Sequence, residues 1–198
     1  MDSDMVLATW RSPLSRALHR NRSQPHSRYF QLATVRANGR PANRTVVFRG
    51  FYEDSNQLVI VSDRRSEKID QIHHSCWAEA CWYFTKTREQ FRLEGQLKAV
   101  LSKAIDGQSN RLLQQYWEKL SDKAKQQFFW PYPGKPRSDN AEDFAVDIQP
   151  DTSRSEDFCV LLLNPIQVDH LELKGDPQNR YRHELTAGDE WVEVSLNP

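Results

Sequence analysis

Apolar and polar positions alternate with a period of two along most of this chain, and a helical period breaks through in three places. Tyr29 to Val35 alternates as a strand. Ala37-Asn38-Gly39 is a turn, and Arg40-Pro41 leads into Arg44-Thr45-Val46-Val47-Phe48-Arg49, whose β-branched and aromatic residues favour a strand with an arginine at each end. Gly50-Phe51-Tyr52 and the turn residues Glu53 to Asn56 follow. Leu58-Val59-Ile60-Val61 is then a continuous apolar run, short enough for a buried strand, ending in Ser62-Asp63. Ala78 to Val100 is β-rich around a polar middle, Thr85 to Gln90, and divides into two strands with Gln90 opening the second. Phe158 to Leu163 is a buried strand, Pro165 interrupts it, and Gln167 to Leu173 alternates as another. Gly175-Asp176-Pro177 turns the chain toward Arg180-Tyr181-Arg182-His183, and Trp191 to Leu196 is the closing strand.

The helical stretches are fewer. Trp10, Leu14, Ala17 and Leu18 define an amphipathic helix that ends before Gln24-Pro25. In Arg64 to Ile72, Ile69 and Ile72 share a helical face, with Asp63 or Ser66 as N-cap. From Lys103 to Phe129, Ile105, Leu112, Leu113, Tyr116, Trp117 and Leu120 form one apolar face, and Ser121 starts a second helix carrying Ala124 and Phe128. Phe129-Trp130-Pro131-Tyr132-Pro133-Gly134 is an aromatic, proline-fixed turn that either floors a pocket or caps the core. Lys135 to Glu156 is polar and charged and reads as a partly disordered surface loop.

A length of 198 residues fits one domain, 1–198. Lys plus Arg (27) equals Asp plus Glu (27), so no overall field draws nucleic acid or an anionic membrane. No run approaches the roughly 18 apolar residues of a membrane span, and the acidic start Met1-Asp2-Ser3-Asp4 leads into no signal-peptide core, so a cytoplasmic protein is expected. Cys76, Cys81 and Cys159 lack metal-ligand spacing and read as reduced core thiols. His73 and His74 are adjacent and cannot share one helical face, so they are assigned to a helix end, not to a metal.

Chemistry concentrates where the Leu58 strand runs into the Arg64 helix. A helix N-terminus presents unpaired N–H groups and a positive dipole end, and here Ser62, Ser66, Arg64, Arg65 and Lys68 surround it. Such a junction is a phosphate pocket. The order of motifs around it resembles the pyridoxamine 5′-phosphate oxidase family of FMN-binding split barrels. That family's Arg-x-Val-Leu-Leu-Lys strand is matched by Arg44 to Arg49, and its Tyr-Thr pair in part by Val61-Ser62. Its Ser-Arg-Lys at a helix head is matched by Ser66-Glu67-Lys68, and its strand-opening glutamine by Gln90. The match is nearer to a cyanobacterial and plant-type branch than to the vitamin B6 enzymes.

The resemblance implies a six-stranded antiparallel split barrel with flanking helices, paired as a homodimer with FMN in two clefts between subunits. Cofactor contacts would come from Arg44, Thr45, Val46, Val47, Phe48, Arg49, Val61, Ser62, Ser66, Lys68 and Gln90, with substrate contacts from Tyr116, Arg180 and Arg182. Catalysis would be hydride transfer to FMN. No side chain is singled out as catalytic, because the flavin carries the reaction. Where the family often has a tryptophan beside the flavin, this chain has Leu171. The B6 enzymes hold the substrate phosphate with a tyrosine, an arginine and a serine at four-residue spacing. Here those positions are Tyr116, Leu120 and Ala124, so a substrate other than the B6 phosphates is expected. The competing reading is a non-catalytic flavin- or haem-binding module on the same barrel.

Overall fold

The computed structural model describes residues 7–102, 106–149 and 152–198, and the predicted start Met1 to Asp4 and Ile105 lie outside them. Helix α1 (Arg11–Arg20) leads into strands β1 (Tyr29–Val35), β2 (Pro41–Phe51) and β3 (Leu58–Asp63). Helix α2 (Glu67–His74), strands β4 (Trp77–Phe84) and β5 (Glu89–Leu101), and helices α3 (Gly107–Glu118) and α4 (Asp122–Gln126) follow. Strands β6 (Phe158–Glu172), β7 (Asn179–Leu185) and β8 (Trp191–Leu196) complete the chain.

The strands pair in the order β3-β2-β1-β4-β5-β6-β7-β8, and β3 also pairs with β6, so β1 to β6 close an antiparallel six-stranded barrel. Closure removes the edges of the six barrel strands, while β7 and β8 extend the sheet from β6 and leave β8 at its edge. Strand β6 makes it possible by changing neighbours: Phe158 to Leu163 pair with β3, and Gln167 to Glu172 pair with β7.

The predicted interruption at Pro165 is therefore absent. Pro165 sits opposite Gly95, where the β5–β6 register shifts, and such a bulge is where a strand tolerates a residue without an N–H. Gly95 is needed there, because a Cβ on it would lie 2.1 Å from the Asn164 carbonyl oxygen.

Inward positions of the barrel, among them Phe30, Phe48, Ile60, Trp82, Phe91 and Leu161, pack with Trp10 and Leu14 from α1 as one core. Alternate residues of the same strands, Val59, Val160 and Leu162, face outward and pack against Leu113 and Trp117 of α3 as a second core. Two-sided burial explains why Leu58 to Val61 is continuously apolar. Cys159 is buried as expected, whereas Cys76 and Cys81 are half-exposed, because Cys81 falls on the outward side of β4 between Ala80 and Trp82 of the core.

The segment after Gly134 is more than a surface loop. It contains a 3₁₀ turn, Ala141–Phe144, capped by Asn140 Oδ1, which accepts from Glu142 N at 3.1 Å. The Trp130 indole donates to the Phe144 carbonyl at 3.1 Å, and Arg137 lies over the Phe144 ring at 4.7 Å. These contacts fold the segment back toward the barrel.

Candidate functional site

Strands β2 and β3, the head of α2 and the segment 127–144 enclose a cavity of about 590 Å³. Its floor is set by the β2 sequence. Phe48 pairs with Ile60 and Gly50 with Val59, so Arg49 is an extra residue in a bulge and projects into the cavity. Gly50 takes the positive φ (129°) that the bulge requires.

At the α2 head, the Lys68 ammonium donates to Ser62 Oγ at 2.9 Å and Ser66 Oγ at 2.6 Å. Ser66 occupies the N-cap position without capping, since its hydroxyl is engaged by Lys68. Each hydroxyl accepts from the ammonium, the Ser66 hydroxyl keeps its own proton to donate, the Ser62 hydroxyl makes a long donation to the Asp63 carbonyl at 3.5 Å, and one N–H of Lys68 is left over. Arg44 is fixed by neutral groups: it donates to the Leu32 carbonyl (3.1 Å), Thr34 Oγ1 (2.6 Å) and Gln71 Oε1 (2.9 Å). None of these cancels its charge. Burial lowers the Lys68 pKa from its ordinary value, and burial followed by nearby Arg36 lowers that of Arg44. No carboxylate of the described residues forms an ion pair with either cation. Two desolvated cations flanked by two hydroxyls form an anion site.

The flanking arginines belong elsewhere. Arg65 chelates Asp63, with its Nη2 donating to Oδ2 at 2.6 Å, reaches Asp157 at 3.2 Å and donates to the Trp130 carbonyl at 2.9 Å. It braces the cavity wall. Arg64 pairs with Asp157 at 2.9 Å on the surface, so it does not join the ring of phosphate ligands that the sequence suggests.

Of the predicted cofactor residues, the cavity lining includes Arg44, Thr45, Val46, Val47, Arg49, Val61, Ser62 and Lys68, with Ser66 held on Lys68. Phe48 points into the barrel core. Gln90, Arg180 and Arg182 do not reach the cavity. Gln90 is opposite Tyr83 and Leu171, and Leu171 is opposite Arg180, placing them on the outer face of β4 to β7. Gln90 stands three strands from β2 in the sheet, roughly 14 Å at the usual spacing of strands. Arg180 chelates Asp169, its Nη2 at 2.9 Å, and Arg182 reaches Glu184 at 3.8 Å. Tyr116 is buried in the second core under Lys119, and the cavity is lined instead by Leu120 and Ala124.

Comparison with known proteins fits this geometry. Residues 7–101 match the model of the family described as pyridoxamine 5′-phosphate oxidase, FMN-binding domain. A pyridoxine/pyridoxamine 5′-phosphate oxidase 2 of Arabidopsis thaliana is 36% identical over 194 residues, covering 97% of this chain and 98% of the plant protein.

The chain belongs to this FMN-binding family.

Its cofactor is FMN. A crystal structure of a pyridoxamine 5′-phosphate oxidase-related, FMN-binding protein from Nostoc punctiforme is 50% identical, with a TM-score of 0.93 over 98% of this chain and 100% of that one. PhzG from Burkholderia lata shares the fold at 19% identity, with a TM-score of 0.76 over 95% of this chain and 92% of that one. The donor set suits the group: a phosphate monoester carries about −1.5 to −2 charges and three acceptor oxygens, matching two cations and two hydroxyls. The aromatic turn, whose use the sequence leaves open, lines the cavity from Trp130 to Pro133. Thr34 and Gln71, which orient Arg44, and Lys135 and Arg137 on the far wall are not among the residues the motifs single out. Thr34, alone polar among the inward positions of β1, was the available signal.

Proposed function

We propose that the protein is an FMN-dependent oxidoreductase whose flavin phosphate is held by Arg44, Lys68, Ser62 and Ser66. The observation that carries this reading is the Lys68 ammonium held between two serine hydroxyls, beside an arginine, without a carboxylate partner. The flavin supplies the chemistry by accepting a hydride from a small-molecule substrate. The protein's own part is to bind, orient and shield: Arg44 is aimed by Thr34 and Gln71, and Arg65 fixes the aromatic wall through the Trp130 carbonyl. The protein should purify yellow, with one FMN per chain by absorbance and mass. A preparation that neither carries flavin nor quenches added FMN would refute it.

The cavity lining lacks three of the residues that the resemblance assigns to the flavin and its substrate. Gln90, Arg180 and Arg182 lie on an outer sheet face that also exposes Tyr29 (46%), Trp77 (43%) and Tyr83 (43%), an apolar area suited to a second copy. We infer a homodimer in which this face of one subunit completes the flavin site of the other. Sedimentation should give a dimer that FMN strengthens. A monomer saturated with FMN would contradict shared sites.

The substrate is proposed to be a molecule other than the B6 phosphates. Leu120 and Ala124 give the α3–α4 wall no polar group where the resemblance calls for an arginine and a serine, and Tyr116 packs away from the cavity. Each lost polar contact to a desolvated phosphate costs about 1.5–3 kcal/mol, so the deficit exceeds roughly a hundredfold. Turnover of pyridoxine and pyridoxamine phosphates under air is the test. A kcat/KM of about 10⁴ M⁻¹s⁻¹ or more would place them among the true substrates.

A further inference from the structure

Two glutamates face each other where β5 begins and β6 ends. Glu89 stands directly opposite Glu172, and Phe91 directly opposite His170, so all four side chains project from one side of the sheet, that of the core residue Phe91. Like charges placed opposite each other on a sheet repel. Among the described residues, the one basic side chain that pairs with either glutamate is His170, whose Nε2 lies 3.0 Å from Glu89 Oε2 and 4.0 Å from Glu172 Oε1. All three groups are held in place. His170 is 2% exposed and its ring stacks on Phe91 at 4.1 Å. Asn179 Nδ2 donates to Glu172 Oε2 at 3.1 Å, leaving Oε1 toward the histidine. Burial pushes the Glu89 carboxyl up, but hydrogen bonds from His170 and Thr87 outweigh it and hold the group below its ordinary value.

One oxygen of each glutamate and one His170 nitrogen lie within 4.8 Å of one another. Ligands of a tetrahedral metal at about 2.0–2.2 Å sit roughly 3.3–3.6 Å apart, so small side-chain rotations bring this set to binding geometry. An opening of about 200 Å³ reaches both glutamates, and it shares no lining residue with the flavin cavity. Arg16, Arg20 and Lys174 stand around it without forming an ion pair to either carboxylate.

We propose that Glu89, His170 and Glu172 form a binding site for a divalent transition metal, beside α1 and separate from the flavin cavity. One imidazole with two carboxylates suits Zn²⁺ and its first-row neighbours, whereas Mg²⁺ and Ca²⁺ take oxygen ligands. The metal neutralises the opposed glutamates, displaces the proton shared by His170 Nε2 and Glu89, and clamps β5 to β6. Three protein ligands leave a fourth position toward the opening, where Arg16, Arg20 and Lys174 favour an anion over water as the outer ligand. The site does not depend on the flavin reading.

The test uses the untagged full-length protein, incubated with FMN, stripped of metal by a chelator and titrated calorimetrically with Zn²⁺ alone. One Zn²⁺ per chain should bind, with a Kd of about 10 μM or lower, and Mg²⁺ at the same concentrations should give no binding heat. Zn²⁺ at about a hundredfold over its Kd should raise Tm by roughly 5–10 °C. Glu172 is partly exposed, so Glu172→Gln should fold as wild type does, and its Zn²⁺ Kd should rise at least about tenfold while FMN affinity stays within roughly threefold. That variant carries the test even where His170→Gln, at a buried position, proves too unstable to purify. His73 and His74 are exposed, and a His73→Ala, His74→Ala double variant should bind Zn²⁺ as tightly as wild type. Absence of Zn²⁺ binding in the wild type would overturn the site. So would equal Zn²⁺ affinity in Glu172→Gln and wild type, or a Mg²⁺ response matching that of Zn²⁺. Binding lost in the His73, His74 double variant would overturn it in favour of the exposed helix end.

Discussion

Replacing Lys68 by methionine should weaken FMN binding by about 1.5–3 kcal/mol, roughly 10- to 150-fold, the usual scale for a hydrogen bond to a charged group. Methionine keeps the length of the side chain and removes the charge that Ser62 and Ser66 now hold. Stability of the FMN-free protein should move the other way. Burial lowers the Lys68 pKa from 10.5, so between the folded value and 10.5 the unfolded chain binds more protons. Stability contributed by this group is therefore lowest at neutral pH and recovers as pH rises toward 10.5. Lys68→Met removes that burden and should melt no lower than wild type. FMN affinity in the wild type should decline across the same alkaline window as the ammonium loses its proton, and the variant should lose that decline. Isothermal titration at several pH values reads both. Equal FMN affinities in the two proteins would exclude Lys68 as a phosphate ligand.

Gly95→Ala should be among the most damaging single substitutions outside the cavity. The added methyl would lie 2.1 Å from the Asn164 oxygen and 2.7 Å from the Pro165 Cα, both backbone atoms, so relief requires moving the bulge that joins β5 to β6. Overpacking usually costs about 1–3 kcal/mol, and a clash with backbone belongs at or above the top of that range. For a domain of this size 3 kcal/mol lowers Tm by roughly 6–12 °C. Gly107→Ala is the control, because a Cβ there meets nothing within 4 Å. Melting curves that coincide for the two variants would show that β6 accommodates the methyl.

The barrel was largely legible because each strand is specified locally, by alternation and by turn residues such as Ala37-Asn38-Gly39. The α2 junction was legible for the same reason, since Ser62, Ser66 and Lys68 lie within seven residues. What escaped depends on contacts distant in sequence. Arg65 reads as a phosphate ligand in the local sequence, but Asp157, far along the chain, shares it with Asp63. Pro165 reads as a strand break unless its neighbour is known to be Gly95. The far wall of the cavity comes from Trp130 to Ser138, whose polarity and prolines resemble those of any surface loop, and only the Trp130–Phe144 contacts fold it inward. Gln90, Arg180 and Arg182 present another difficulty. One chain places Gln90 three strands from β2 and the two arginines farther still, and their proposed role depends on a second copy.

The central claim, that Arg44 and Lys68 bind the phosphate of FMN, is tested most directly by comparing FMN with riboflavin, which lacks it. Dissociation constants for both flavins should be measured on wild type, Arg44→Ala and Lys68→Met. Wild type should prefer FMN strongly, and each variant should lose about 10-fold or more of that preference while its riboflavin affinity changes little. Variants that weaken FMN and riboflavin equally would contradict the account, because the two residues would then act on the shape of the cavity and not on the phosphate.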